Sequence, residues 1–294
     1  MTARAPWRDV LKQYKPLILP SAADALTARL IQLSAFPAYQ VGGFALTAAM
    51  HAYPDIDLEQ FAENHTKLDE IIQACDLPVL VDGDDGYGDV KNVTRTVQGY
   101  ERIGASALFI EDQKPPKRCG HMSGKIVVSA DFMVAKIKAA TAARSTPDFF
   151  ILARTDAIEP HGLDDAIERG KRYLDAGADG IYVEGPRTNE ELQRVGEAFR
   201  DVPLATSLLE RGGKTPWMPP AEMHALGYDM ILYPTTVLFR AVRAIQLGLA
   251  DLLAGKPLDA DASVDLPEFE TIVRMEHWAA IENDFMPGKA KGIS

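Results

Sequence analysis

Residues 111–125 read EDQKPPKRCGHMSGK, and the side chains best suited to chemistry are concentrated here: Cys119 directly follows Lys117 and Arg118 and stands two residues before His121. Positive neighbours stabilise a thiolate, so Lys117 and Arg118 are expected to lower the Cys119 pKa and make the thiol available for chemistry. The connection runs from Glu111 to an expected helix start at Ser129, longer than the roughly two to six residues usual for a βα loop. Long loops of this kind commonly serve as lids. A lid bearing Cys119 and His121 can bring an acid or a base onto a bound substrate while excluding water.

A second set of candidates lies where short apolar runs end. Asp82, Asp84 and Asp85 follow PVLV, Glu111 and Asp112 follow SALFI, Arg154 and Asp156 lie in ILARTD, and Glu184 follows GIYV. Taken singly, each acid reads as a helix cap or a salt-bridge partner. Taken together, acids on neighbouring strands repel unless something positive sits among them. A hard divalent cation meets that need. Carboxylates with retained waters suit Mg2+, with Mn2+ as a substitute, and no paired-cysteine or histidine-rich spacing points to zinc. Arg154 can hold a carboxylate through two parallel hydrogen bonds, neutralise the acids, or do both. Metal and arginine together indicate a small anionic substrate, a carboxylate or a phosphonate.

These residues need a scaffold that brings strand ends together. Eight apolar runs qualify as strands: PLILP from 16, AYQVGG from 38, PVLVDGD from 78, SALFIED from 106, FFILARTDA from 149, GIYVEG from 180, VPLATSL from 202 and MILYPTT from 230. Amphipathic stretches alternate with them, among them SADFMVAKIKAATAAR with Ser129 as N-cap, LDDAIERGKRYLDAGA, and TNEELQRVGEAF, where Thr188 and Glu191 have capping-box spacing. Apolar strands alternating with amphipathic helices imply a parallel sheet covered by helices. Eight such repeats imply a (β/α)8 TIM barrel, whose active face lies at the C-terminal strand ends. A doubly wound open sheet is the rival, but PSAADAL after the first strand is no glycine-rich phosphate turn. The chain reads as one domain over 1–294, with the barrel at about 16–240 and a C-terminal helical extension at about 241–294 that packs on its own barrel or reaches another subunit.

The 294-residue chain carries 42 Asp and Glu against 31 Lys and Arg, a formal net charge of -11, which argues against nucleic acid and anionic membranes as partners. The N-terminal MTARAPWRDVLKQYKP lacks the apolar core of a secretory signal, and no run has the sustained apolarity of a spanning helix, so a cytoplasmic location is expected. There are two cysteines. Cys75, between a helical pattern and a strand, reads as core.

VDGDDGYGDVKNVTRTV, FIEDQKPPKRCGH, ILARTDA and ERGGKTPW, in this order and spacing, resemble the isocitrate lyase and phosphoenolpyruvate mutase superfamily. The likeness covers about residues 16–285. It is strongest to the short branches, the 2-methylisocitrate lyases, 2,3-dimethylmalate lyases, petal death protein and oxaloacetate hydrolases. The resemblance implies a (β/α)8 barrel whose C-terminal helix is exchanged between subunits, in a homotetramer built as a dimer of dimers, with Mg2+. It makes Asp82, Asp84 and Glu111 metal-site acids acting largely through water, and Asp55 an active-site acid. It makes Arg154 and the backbone of Gly42 and Gly43 binders of substrate carboxylate, Glu184 an acid on the substrate side or one supporting the site from behind, and Cys119 the catalytic acid, with Lys117, Arg118 and His121 tuning the thiol and clamping carboxylate oxygens. The implied chemistry is cleavage of a 2-hydroxy di- or tricarboxylate to a 2-oxoacid and a carboxylate, with Asp55, Glu184, a tyrosine or a metal-activated hydroxide as base. Oxaloacetate hydrolysis, a carboxyphosphonoenolpyruvate-type mutase and a silent carboxylate-binding barrel are the alternatives. Two departures from the family pattern, Val41 before the glycine pair and Thr206 or Ser207 where an asparagine is common, are expected on substrate-facing positions and bear on the substrate.

Overall fold

The computed structural model describes residues 4–257 and 259–286. All eight expected strands form: β1 Leu17–Pro20, β2 Tyr39–Val41, β3 Val79–Asp82, β4 Ala107–Glu111, β5 Phe150–Thr155, β6 Gly180–Val183, β7 Leu204–Ser207 and β8 Met230–Tyr233. They are parallel and run in the order β1-β8-β7-β6-β5-β4-β3-β2. A parallel bridge between Ser21 and Gln40 joins the two ends of the sheet. This is the (β/α)8 barrel, and it excludes the open doubly wound sheet.

Side chains alternate along each strand between the barrel interior and the surrounding helices. Leu17, Leu19, Leu80, Ala107, Phe109, Phe150, Leu152, Ala205 and Met230 fill the interior, together with Trp7, Val10 and Leu11 of the first helix, Trp7–Gln13. Their alternates, such as Val79, Val81, Leu108, Ile110, Ile151, Ala153 and Ile181, join the larger cluster that includes helix residues such as Met133, Ile137 and Leu192. Two apolar layers are therefore built from strands that are hydrophobic on both faces.

The helix starts follow local chemistry. Ser129 caps Ala130–Ala143 by accepting the Phe132 N–H, and Thr188 caps Asn189–Ala198 by accepting the Glu191 N–H. The capping box is only half made, because the Glu191 carboxylate takes the Arg187 N–H at 2.5 Å instead of that of Thr188. Gly196 lets this helix meet the next: a Cβ there would lie 1.8 Å from the Leu226 carbonyl oxygen.

The chain divides into two compact units, Met1–Phe239 and Arg240–Ser294. The first holds the barrel. The second contains most of the helix Thr236–Leu253 and the helices Leu266–Ile272 and Met275–Phe285. Most of its large apolar side chains are exposed, with Leu252 71%, Trp278 63% and Ile245 61% accessible. Among the described residues no helix is long and apolar enough to cross a membrane.

Candidate active site

The two-residue period that fills the interior also builds the site. One step beyond the last apolar layer, the inward positions are Asp82 on β3, Glu111 on β4, Arg154 on β5 and Ser207 on β7, and Glu184 continues the parity of Tyr182 just past β6. These five side chains line or border one cleft at the C-terminal face, together with Gly42, Gly43, Asp55, Cys119 and His121. The cleft is compact, with a cavity volume of about 50 Å3. One wall is apolar, formed by Phe44, Leu209, Leu232 and Pro234.

The outward parity explains which expected residues are absent. Val41 and Thr206 are fully buried and face away from the cleft, Val41 within the outer core. They do not line the cleft, whereas Ser207 does. Asp112 also points outward, where Thr155, Tyr173 and Arg169 donate to its carboxylate at 2.8, 2.8 and 3.3 Å. Asp85 is held by the buried Lys136 at 3.1 Å. For these two acids the salt-bridge reading is the correct one.

The acids near β3 and β4 form a compact group around an ammonium. Asp82 accepts the Gly43 and Asp84 N–H groups, each at 2.9 Å, so the Gly43 amide is spent within the protein. Gly42 donates more weakly, to Ser21 Oγ at 3.4 Å. A Cβ on Gly43 would stand 3.2 Å from Asp82 Oδ2 and 3.4 Å from Asp84 Oδ1, so glycine lets the carboxylates close in. Asp84 takes a left-handed φ of 48°, a strained choice for a non-glycine residue that structures retain at functional turns. Lys117 Nζ lies 2.5 Å from both Asp55 Oδ1 and Asp84 Oδ1. The contact to Asp84 is ionic without a directed hydrogen bond, since Asp84 Oδ1 has no hydrogen-bond partner among the described residues. Part of the positive charge that the acids require is thus supplied by Lys117.

The donor set fits a hydrated hard cation. Glu111 Oε1 is buried without a hydrogen-bond partner, and Asp84 Oδ1 has the ionic contact to Lys117 but no hydrogen bond, a costly state for buried carboxylate oxygens. Burial pushes the Glu111 pKa well above its ordinary value against the opposing pull of Arg154. Desolvation in the cleft, with the Asp84 charge beside it, pushes Asp82 up to about 6. Both shifts show acids short of positive charge. Carboxylate oxygens are the donors that Mg2+ takes, along with retained water.

On the opposite side, Arg154 makes two hydrogen bonds to Asp156, at 2.9 and 3.1 Å, and lies 3.3 Å from Glu111 and 3.7 Å from Glu184. Its guanidinium therefore already neutralises acids, and its fork is oriented by Asp156. Glu184 accepts from Tyr182 Oη at 2.5 Å and from Ser207 Oγ at 3.3 Å. Burial opposes ionisation of Glu184, but Arg154 and His121 outweigh it and hold the carboxyl below its usual range. His121 Nε2 is 3.0 Å from Ser207 Oγ and 3.4 Å from Glu184. The Lys214 N–H donates to His121 Nδ1 at 3.1 Å, so Nδ1 is the acceptor and Nε2 bears the proton. Burial lowers the His121 pKa, Glu184 opposing.

The loop after β4 lies across the mouth. Gln113 clasps the backbone of Arg118 through both its amide oxygen and nitrogen, at 3.0 and 2.8 Å. The Cys119 N–H donates to the Asp55 carbonyl at 3.2 Å, and the buried Lys125 bridges the Gly120 carbonyl and Asp156 at 2.5 and 2.9 Å. Two expectations fail here. Arg118 is exposed and is not brought into the site. The Cys119 thiol is raised, to about 11, by burial and then by the Asp55 charge; Lys117, which should have lowered it, is occupied by Asp55 and Asp84. Cys75 is buried in the core as expected. Asp156, one of the strand-end candidates, orients Arg154, and Tyr182 and Lys125 are site residues that were not singled out in the sequence. The inward parity of Tyr182 could have flagged it, whereas Lys125 gives no such signal.

A barrel with acids, an arginine and a cysteine-bearing loop converging at its C-terminal face defines an enzyme of the (β/α)8 class. A profile of the phosphoenolpyruvate phosphomutase family matches residues 8–253. The chain belongs to the phosphoenolpyruvate mutase and isocitrate lyase superfamily. It is 38% identical to 2,3-dimethylmalate lyase of Eubacterium barkeri over 98% of this chain and 100% of that one. It is 41% identical to probable 2-methylisocitrate lyase 2 of Corynebacterium glutamicum over 80% of this chain and 75% of that one. Among solved structures, oxaloacetate acetylhydrolase with 3,3-difluorooxalacetate superposes with a TM-score of 0.90 at 31% identity, covering 97% of both chains. Phosphonopyruvate hydrolase in complex with oxalate and Mg2+ superposes with a TM-score of 0.84 at 28% identity, over 95% of this chain and 97% of the other.

Proposed function

We propose that the protein is a Mg2+-dependent carbon–carbon lyase that cleaves an alkyl-substituted 2-hydroxy di- or tricarboxylate, of the 2-alkylmalate or 2-methylisocitrate kind, to a 2-oxoacid and a carboxylate. The observation that carries this reading is the convergence of Cys119, Arg154 and the carboxylates of Asp55, Asp82 and Glu184 on one cleft. Burial pushes the Cys119 thiol toward its protonated form, the form that can give a proton to carbon. Relatives named as lyases of such acids support it.

Arg154, oriented by Asp156, draws a substrate carboxylate into the cleft, and the Phe44, Leu209 and Pro234 wall accepts an alkyl group. Glu184 and Asp55 are the carboxylates placed to take the hydroxyl proton. As the carbon–carbon bond breaks, one fragment becomes the 2-oxoacid, and the bonding pair stays on the other as an enolate, to whose carbon Cys119 delivers its proton. The proton taken by the base resets the thiol. Asp82, Asp84 and Glu111 would hold Mg2+, which when bound supplies positive charge against the negative charge that develops on the reacting oxygens. His121, neutral with its proton on Nε2, holds Ser207 and Glu184 in place.

The test is release of 2-oxoacid from a panel of 2-alkylmalates, methylisocitrate, isocitrate, oxaloacetate and phosphonopyruvate with Mg2+, for wild type and Cys119→Ser. Cleavage that needs the metal and collapses in the variant is expected; undiminished cleavage by Cys119→Ser removes the thiol from the reaction. The likeness to oxaloacetate acetylhydrolase favours a second reading, hydrolysis of oxaloacetate, which the same panel identifies by its products. We further infer a cytoplasmic homotetramer, a dimer of dimers exchanging C-terminal helices. The exposed apolar side chains of residues 240–286 support a second copy as their partner.

A further inference from the structure

Three loops at the cleft mouth are tied together by a pair of residues that the proposed reaction does not use. Lys214, in the loop after β7, donates from Nζ to the Met122 carbonyl at 2.8 Å and to Glu159 Oε2 at 2.7 Å, while its own N–H donates to His121 Nδ1. Glu159, in the short helix Ile158–His161 after β5, accepts the Gly124 N–H on Oε1 at 2.6 Å. The two side chains are only 20% and 18% exposed. The lid segment 121–124 is therefore gripped at His121, Met122 and Gly124, and every one of those bonds ends on Lys214 or Glu159. His121 is held on its other side by Ser207 and Glu184, and further fastenings of the lid include Gln113, Asp55 and Lys125.

We propose that Lys214 and Glu159 form a latch that seats the lid over the cleft and, through the Lys214 N–H, fixes the His121 tautomer that presents Nε2–H to Ser207 and Glu184. They are positioning residues, acting through His121 and the lid; this rests on the reading of the cleft as the active site. The pair suits the task because an ammonium between a carboxylate and a carbonyl makes charge-assisted hydrogen bonds, and its partial burial limits screening. The contacts from Lys214 and Glu159 are to lid backbone and to the His121 ring, so the latch holds the path of the lid rather than any one side-chain surface.

The test uses full-length protein, metal-free and with Mg2+, and compares wild type with Lys214→Met and Glu159→Gln. Lid seating is read as the rate of Cys119 alkylation by iodoacetamide, mapped by mass spectrometry, with buried Cys75 as the internal control. Each variant is expected to label Cys119 about tenfold faster, with Cys75 and the melting temperature unchanged. The double variant is expected to add little, since both residues serve one contact. Lys214→Met keeps the backbone N–H but frees its loop from Met122 and Glu159, so in 15N-histidine spectra the His121 signal, assigned by its loss in His121→Gln, should move from a single Nε2–H tautomer toward a mixture as that N–H leaves its place. Unchanged Cys119 labelling in both variants overturns the latch. A parallel rise at Cys75 overturns it too, by showing a general stabilising role. None of these readings depends on turnover, so a chain inactive on every substrate would refute the lyase reading and leave the latch standing.

Discussion

Cys119 sits beside two basic residues in the chain, yet burial and the Asp55 charge set its thiol. A thiol pushed up to about 11 carries little thiolate at neutral pH, and thiolate is the form that alkylates. In metal-free protein the Cys119 labelling rate is therefore expected to climb about tenfold per pH unit from about pH 8 to about pH 10; a plateau near pH 9 would show an ordinary thiol. Gly43→Ala places a methyl group 3.2 Å from Asp82 Oδ2, and should weaken Mg2+ binding about tenfold by spreading the carboxylates, measured by calorimetry. Residue types were legible from the chain and their company was not. Lys117 and Arg118 are adjacent and equally charged, yet one is buried among acids and the other is exposed. A loop without periodicity carries no signal for which side chain turns inward.

At the scale of elements, apolar period and caps were sufficient to place every strand, because strands buried on both faces announce themselves as short apolar runs. The same alternation, carried past the last apolar layer, selects Asp82, Glu111, Arg154 and Ser207 and rejects Asp112, Val41 and Thr206. Reading the departures without that parity put Val41 on the wrong side. Lys136, in the helix Ala130–Ala143, donates to both the carbonyl and the carboxylate of Asp85, so a helix holds the turn that presents Asp84. Lys136→Met should cost about 3–5 kcal/mol by leaving a buried carboxylate unpaired, seen in urea melts. Gly196→Ala should cost about 3 kcal/mol, since backbone at 1.8 Å cannot yield as a side chain would. A loss under about 1 kcal/mol would mean that the two helices slide apart freely.

For the whole molecule, the proposed metal site makes protons and Mg2+ rivals for one group of acids. Asp82 titrates at about 6 in the metal-free fold, above the ordinary carboxylate range, so the fold binds its proton more tightly than the unfolded chain does. That contribution to stability is present at low pH and lost as pH rises through about 6. Mg2+ needs the deprotonated form, so its effect runs the other way. The rise in melting temperature on adding Mg2+ should be large near pH 8 and small near about pH 5; equal shifts at both would take Asp82 out of the metal site.

Lys117 gives the last consequence. Its ammonium, 2.5 Å from Asp55 and Asp84, is a counterion that the chain carries with it, held at a fixed local concentration rather than drawn from solution. An ordinary acidic pocket fills with potassium or sodium, and a divalent ion must displace them. Here the exchange is internal. Mg2+ affinity should therefore change little between low and near-molar KCl in wild type, and become steeply salt-dependent in Lys117→Met, where dissolved cations must take the place of the missing one.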